Sequence, residues 1–253
     1  MSKIWIIVKR DMYTYFTDFY GAGFRTVYLL LQLLVFGYIL GKVVPPTIPA
    51  GMTYLQFFAI GSVVISLFGA SYTIGRDLYL DRESGFLNYM LSLPISRKDI
   101  VLGRSLGGAI RSLLHMLILY GIALVIVPST LFDALSCVAL LFVFSFGLCG
   151  LGILLATSIN QETRWRLVSS FLQLVLVRSS TAMYPAVAMP IWLQVGTRLN
   201  PLSSAADSIR SISFNSMVNT PLESVIIVLL FAILMGFAGC ILYSKKVEGG
   251  AVE

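Results

Sequence analysis

Six stretches of the chain are almost continuously apolar, and each approaches the length of a membrane-crossing helix. A hydrocarbon core about 30 Å thick calls for about 20 helical residues at about 1.5 Å of rise each. The stretches are Val27–Val44, Tyr54–Gly75, Leu106–Val127, Ala134–Ser158, Leu167–Ala188 and Ser224–Ser244. The second, fourth and sixth carry no charged residue. This pattern predicts an all-α integral membrane fold, with residues 1–253 forming a single transmembrane domain of six helices. Ahead of the spans, Trp5, Val8, Met12, Tyr15 and Phe19 recur at helical spacing beside Lys9, Arg10 and Asp18. They predict an amphipathic helix over residues 1–22, lying in the membrane interface or packed on the protein's own cytoplasmic surface. Residues 185–221 are too polar to span and too apolar for a solvated loop, and Pro185, Pro190 and Pro201 punctuate them. Short helices dipping into the outer leaflet suit that mixture.

An even number of spans puts both termini on one side, and Lys/Arg asymmetry chooses which. One set of flanks holds most of the basic residues, including Lys9, Arg10, Arg76, Arg82, Arg97, Lys98, Arg104, Arg164, Arg166, Lys245 and Lys246. The other holds Lys42, Arg198 and Arg210. Both termini, and the loop at residues 76–104, are therefore expected in the cytoplasm, with the chain in a plasma or inner cell membrane. The start, "MSKIWIIVKRDMYTYF", lacks a small-residue cleavage site, so no cleaved signal peptide is expected.

Composition agrees with a membrane protein: 57% of residues are hydrophobic and 12% charged, against about 25% charged in soluble domains. The net charge of +6 is spread over span ends rather than gathered into an aromatic-interleaved stripe, so a nucleic-acid partner is not expected. Cys137, Cys149 and Cys240 sit in apolar blocks, with no CxxC spacing, which supports neither a disulfide framework nor a zinc site. A single histidine, His115, argues against a metal cluster or a Ser-His-Asp triad.

The most informative stretch is "DRESGFLNYMLSLPISRKDIVLGR", Asp81 to Arg104. Phe86, Leu87, Met90 and Leu91 form one face of a short helix that Gly85 opens and Pro94 closes. Ser96 and Asp99 then make a capping pattern for the next helix. Such a helix could rest on headgroups or fit a cytoplasmic partner. The carboxylates Asp77, Asp81 and Glu83 favour the partner, because anionic headgroups repel them.

Glu83-x-Gly85, the short apolar helix, "SLP" at Ser92–Pro94, Ser96-Arg97 and Gly103-Arg104 together resemble the cytoplasmic loop of ABC-2 type permeases, the membrane subunits of ABC exporters. "NPLSSAADSIR", Asn200 to Arg210, resembles that family's Asn-Pro-Leu…Asp-x-x-Arg pattern before the last span. The chain departs from the family pattern at Phe86, Asn88 and Arg104, where Thr, Glu and Lys are typical. The resemblance implies a coupling helix seated in a groove of a separate ATPase, with Glu83, Gly85, Leu87, Met90, Leu91 and Pro94 as contacts. It further implies two ATP-binding subunits, a second permease chain, identical or paralogous, and ATP and Mg bound on the ATPase. "GYILGK", Gly37 to Lys42, has one residue too few before Gly-Lys for a P-loop, so no cofactor is expected in this chain.

Arg178 falls near the middle of the predicted fifth span, beside Ser179 and Thr181. A charge there costs about 2.5 to 3.5 kcal/mol on insertion scales and marks either a substrate path or a structural ion pair, with Asp133 or Glu223 as partner. Arg111 is expected to snorkel to the interface, and His115 one turn on to serve packing. The glycines Gly37/Gly41, Gly103/Gly107 and Gly147 to Gly152 permit close helix approach, within one subunit or between two. The reading is a permease subunit that exports an amphipathic or lipid-like substrate and is not itself an enzyme. An ion-gradient-driven secondary transporter is the alternative, although its usual intramembrane carboxylates and inverted repeats are not evident.

Overall fold

A computed structural model describes residues 3–17, 19–43, 52–93, 95–127, 129–159, 161–214 and 221–248. For a few helical residues, Phe19, Leu87 and Leu91 among them, it describes the backbone alone. Asp18, Val44, Pro94 and residues 215–220 lie outside the described residues.

The described chain is helical and contains no strand. Helix α1 covers Lys3–Thr17, and α2 covers Phe19–Gln32 with a π-helical continuation, Leu33–Leu40, and a last turn, Gly41–Val43. Helix α3 is Tyr54–Glu83, α4 Phe86–Ser92, α5 Arg97–Ile126 and α6 Leu131–Ser158. Helix α7 is Glu162–Arg178; a 3-10 turn follows at Ala186–Ala188, then α8 at Ile191–Leu199, α9 at Pro201–Phe214 and α10 at Pro221–Glu248.

Four of these are long and apolar enough to cross a membrane: Tyr54–Glu83, Asp99–Ile126, Leu131–Ser158 and Leu222–Lys245. They match the second, third, fourth and sixth predicted spans. The apolar part of α2, Thr26–Ile39, is shorter. The predicted fifth span, Leu167–Ala188, is not one helix. It ends at Arg178, and the chain turns through Ser179–Tyr184 before the 3-10 turn. Hydroxyls break it: Ser179 donates to the Val175 carbonyl at 2.7 Å and Ser180 to the Val177 carbonyl at 2.7 Å, and side chains that bond local carbonyls compete with the helix ladder.

Helix starts follow their caps. Thr53 and Gln56 close a capping box on α3, Thr130 and Asp133 one on α6, and Ser96 accepts from the Asp99 amide at 3.1 Å to open α5. Helix α3 is the centre of the molecule: Phe58, Val64, Leu67, Phe68 and Ile74 are fully enclosed. Lipid tails are as apolar as leucine, so apolar contact alone gives little drive for helix association in a bilayer. Close approach and interhelical hydrogen bonds supply it here. A Cβ on Gly150 would lie 2.5 Å from the Met235 carbonyl oxygen, and one on Gly75 2.4 Å from that of Gly152, so α6 seats α10 and α3 backbone to backbone. Between them Ser71 donates to Ser145 at 3.2 Å, and Ser145 to the Ala109 carbonyl at 3.3 Å. The glycines at 147–152 thus serve packing within this chain. Helix α10, by contrast, leaves Leu230, Leu234, Phe237 and Ile241 exposed, as a face turned to lipid requires.

Candidate functional site

Thirty residues of α3 measure about 45 Å, well beyond a hydrocarbon core of about 30 Å. Its last turns therefore project from the bilayer with the loop they carry. Gly85 ends the projection in the left-handed region, at φ 72°, where a side chain costs about 1 to 2 kcal/mol. The chain reverses there into α4, seven residues long. Two residues of α4 face its own protein: Met90 is buried, and Phe86 packs beside the core. Glu83, Gly85, Tyr89 and Leu93 remain on the outside, with Tyr89 60% exposed. Tyr79 donates to Glu83 at 3.0 Å.

Helix α1 anchors this loop. It packs along α5 where two glycines remove the obstacle: a Cβ on Gly103 would lie 2.9 Å from Ile7 Cβ, and one on Gly107 2.8 Å from Asp11 Oδ2. Asp11 thereby reaches Arg104, which donates to it at 3.0 Å while both residues are 3% exposed. Arg104 also pairs closely with Asp81. Arg10 donates to Asp81 at 2.8 Å and lays its guanidinium 4.0 Å from the centre of the Phe86 ring. One turn up, Arg111 donates to Asp77 at 2.7 Å and to Thr73 at 3.0 Å. Burial pushes the Asp11 carboxyl above the ordinary carboxylate range, against the pull of Arg104. Desolvation thus consumes much of the attraction, and the network fixes position more than it adds stability.

Several expectations change. Helix α1 is packed on the protein, and only its outer side, with Trp5, Ile6, Tyr13 and Phe16, is free for the interface. Asp77 and Asp81 are internal ion-pair partners, which leaves Glu83 as the exposed carboxylate of the three. Arg111 pairs rather than snorkels. Of the six candidate contacts, Glu83 and Gly85 are exposed and Met90 is buried; Pro94 and the side chains of Leu87 and Leu91 lie outside the described residues. Tyr89 was missed because it falls off the apolar stripe of α4. Being aromatic and off the stripe was its signal.

At the opposite end, Arg210 is 1% exposed and donates to the carbonyls of Thr181 at 3.0 Å, Ala182 at 3.3 Å and Phe57 at 3.0 Å, and to Asp207 at 2.8 Å. Its guanidinium lies 3.5 Å from the Phe57 ring centre. Thr181 donates to Asp207 at 3.0 Å, and Asn200 donates to the Leu176 carbonyl at 2.7 Å and to Ser179 at 3.2 Å. These bonds satisfy the non-helical backbone after α7, as irregular chain at membrane depth requires. The Asn200–Arg210 motif is therefore a clasp around residues 176–182. Ser179 and Thr181, candidates for a substrate path, are parts of that clasp. Arg178 differs. It stands exposed at the end of α7, 3.7 Å from Met183 Sδ. Asp133 is engaged in its helix cap, so the Arg178–Asp133 pairing is not made, nor is one with Glu223 among the described ion pairs.

Comparison with known proteins agrees with this architecture. The ABC-2 type transporter family matches residues 2–214. A relative from Cyanophora paradoxa named as a ycf38 transport permease is 33% identical over 184 residues, 72% of this chain and 63% of the relative. Its Porphyra purpurea counterpart is 30% identical over 200 residues, 78% of this chain and 68% of the relative. The chain thus spans under two thirds of the Cyanophora relative's length. With four apolar spanning helices and a family match over most of its length, the chain is a multi-pass membrane protein that belongs to the ABC-2 type transporter family.

Proposed function

We propose that this chain is the membrane-spanning subunit of an ATP-driven exporter that moves an amphipathic or lipid-like substrate outward. In this reading α2 and α7 complete six spans, and both termini and the residue 76–104 loop face the cytoplasm of a cell membrane. Helix α4 is the coupling helix. Two ATP-binding subunits, which carry ATP and Mg, engage it in two permease chains, identical or paralogous. ATP-driven closure then shifts the permease between inward- and outward-open states.

The observation that carries the reading is the mounting of α4. A seven-residue helix has little stability of its own. This one is held from behind by Met90 and from the side by Arg10, and presents Glu83, Gly85, Tyr89 and Leu93 outward. Such a rigid knob transmits force in both directions. Leu87, Leu91 and Pro94 complete the contact set by family resemblance.

The test is co-purification with an ATP-binding subunit, comparing wild type with Glu83→Ala/Tyr89→Asp and recording complex formation and ATP turnover. Loss of both, in a variant that still inserts and elutes as wild type, supports the coupling role. An ATPase that binds and is stimulated equally by both forms removes it. No association even with wild type would favour an ion-gradient-driven transporter.

A further inference from the structure

Two cavities of about 440 and about 490 Å³ lie between α3 and α7 and share Gly69, Ser170 and Gln173, so they form one groove. Gly69 opens it: a Cβ there would meet only the Gln173 amide, at 3.9 Å. The two helices run antiparallel. Arg76 and Trp165 therefore mark the loop end of the groove, and Ser66 and Arg178 the clasp end. From Ser66 to Arg76 is about 15 Å along α3. The clasp-end half is also lined by Leu29, Ile65, Leu174 and Val177.

The charged groups of this groove are mostly donors, Arg76, Arg166 and Arg178 against Glu162. Glu162, the one carboxylate among the lining residues, is engaged by Arg166, and Asp77, next to Arg76 in the chain, by Arg111. Arg76 and Arg178 have no acidic partner among the described residues. The Ser66 hydroxyl, on a residue 5% exposed, and the Trp165 indole N–H, on one 6% exposed, are among the groove's groups buried without a hydrogen-bond partner among the described residues. Buried donors without acceptors are costly, and a ligand that supplies acceptors relieves the cost. Indole and guanidinium groups can only donate. Helix α7 has just two buried residues, Trp165 and Ser169, so little of this chain covers its face.

We propose that the groove binds an acidic amphiphile, with its phosphate- or sulfate-bearing headgroup taken by Arg76 and Trp165 at the loop end or by Arg178 and Ser66 at the clasp end. Its alkyl chain lies along Ile65, Leu174 and Val177. A neutral or zwitterionic amphiphile leaves the surplus of positive charge unanswered, and a free inorganic anion leaves the apolar wall empty. The proposal names the substrate class for the exporter reading above and rests on it. Ligand occupancy nevertheless needs no ATPase, so the two can fail separately.

The test uses the full chain in phosphatidylcholine nanodiscs, with Trp5→Phe and Trp192→Phe leaving Trp165 as sole reporter; both replaced residues are exposed. A small fraction of dibrominated phosphatidylglycerol or of dibrominated phosphatidylcholine is added, and quenching of Trp165 gives their relative affinities. The acidic lipid is expected to bind roughly fivefold more tightly. Arg76→Gln/Arg178→Gln should erase the preference, and Ser66→Ala should reduce it. Arg164→Gln makes the same charge change outside the groove and should keep the preference. Equal quenching by the two lipids, or a preference that survives the double substitution or vanishes in Arg164→Gln, overturns the proposal. Relief of quenching by excess inorganic phosphate would mean a free-anion site and overturns it too.

Discussion

Arg104 and Asp11, 93 positions apart, form a 3.0 Å ion pair in which each side chain is 4% exposed. The pair ties the first helix to the base of the third predicted span. Breaking a buried pair from one side strands a charge, at about 3 to 5 kcal/mol. Asp11→Ala should cost about 3 kcal/mol, the lower end of that range, because Asp81 still faces Arg104. Asp11→Ala/Arg104→Met should recover part of the loss, a non-additivity that thermal unfolding in detergent will detect.

Arg10 bridges α1 to the loop through Asp81 and the Phe86 ring. It is partly exposed, 34% at the side chain, so Arg10→Ala should change global stability by only about 1 kcal/mol. Its effect should instead appear as faster proteolysis or hydrogen exchange at residues 84–93. Arg10→Lys should restore the ion pair but not the stacking, and so correct the exchange rate only in part.

The clasp makes a sharper prediction. A Cβ on Gly61 would lie 1.7 Å from the Ala182 carbonyl oxygen, which also accepts from Arg210. No rotamer change relieves a clash with backbone, so Gly61→Ala must displace the turn after α7. Arg210→Leu would remove donors from three carbonyls at once. Both variants should lower the melting temperature far more than Arg178→Leu, whose side chain is exposed. An Arg178→Leu variant as unstable as Arg210→Leu would refute the division between clasp and groove.

Helices α3, α5, α6 and α10 were legible because long apolar runs are local signals, and the start of α5 was further marked by Ser96 with Asp99, three residues apart. The break after Arg178 was not. An apolar run continues past it, and the partner that stabilises the turn, Arg210, lies about thirty residues on. The ion pairs of Asp77 and Asp81 were hidden for the same reason, since Arg10 and Asp81 are 71 residues apart. The Asn200–Arg210 motif was recognised as a pattern, but its role appears only when Asn200, Asp207 and Arg210 converge on residues 176–182.

The central claim, that α4 is the place where an ATP-binding subunit engages this chain, is tested most directly by site-specific photo-crosslinking. A photoreactive residue is placed at Tyr89, on the exposed side of α4, or at Val125, 87% exposed near the far end of α5. The account predicts crosslinks to the ATP-binding subunit from position 89 and none from position 125, with the yield at 89 changing when ATP is added. Absence of crosslinks at 89 in an intact complex, or equal yield from both positions, would contradict it.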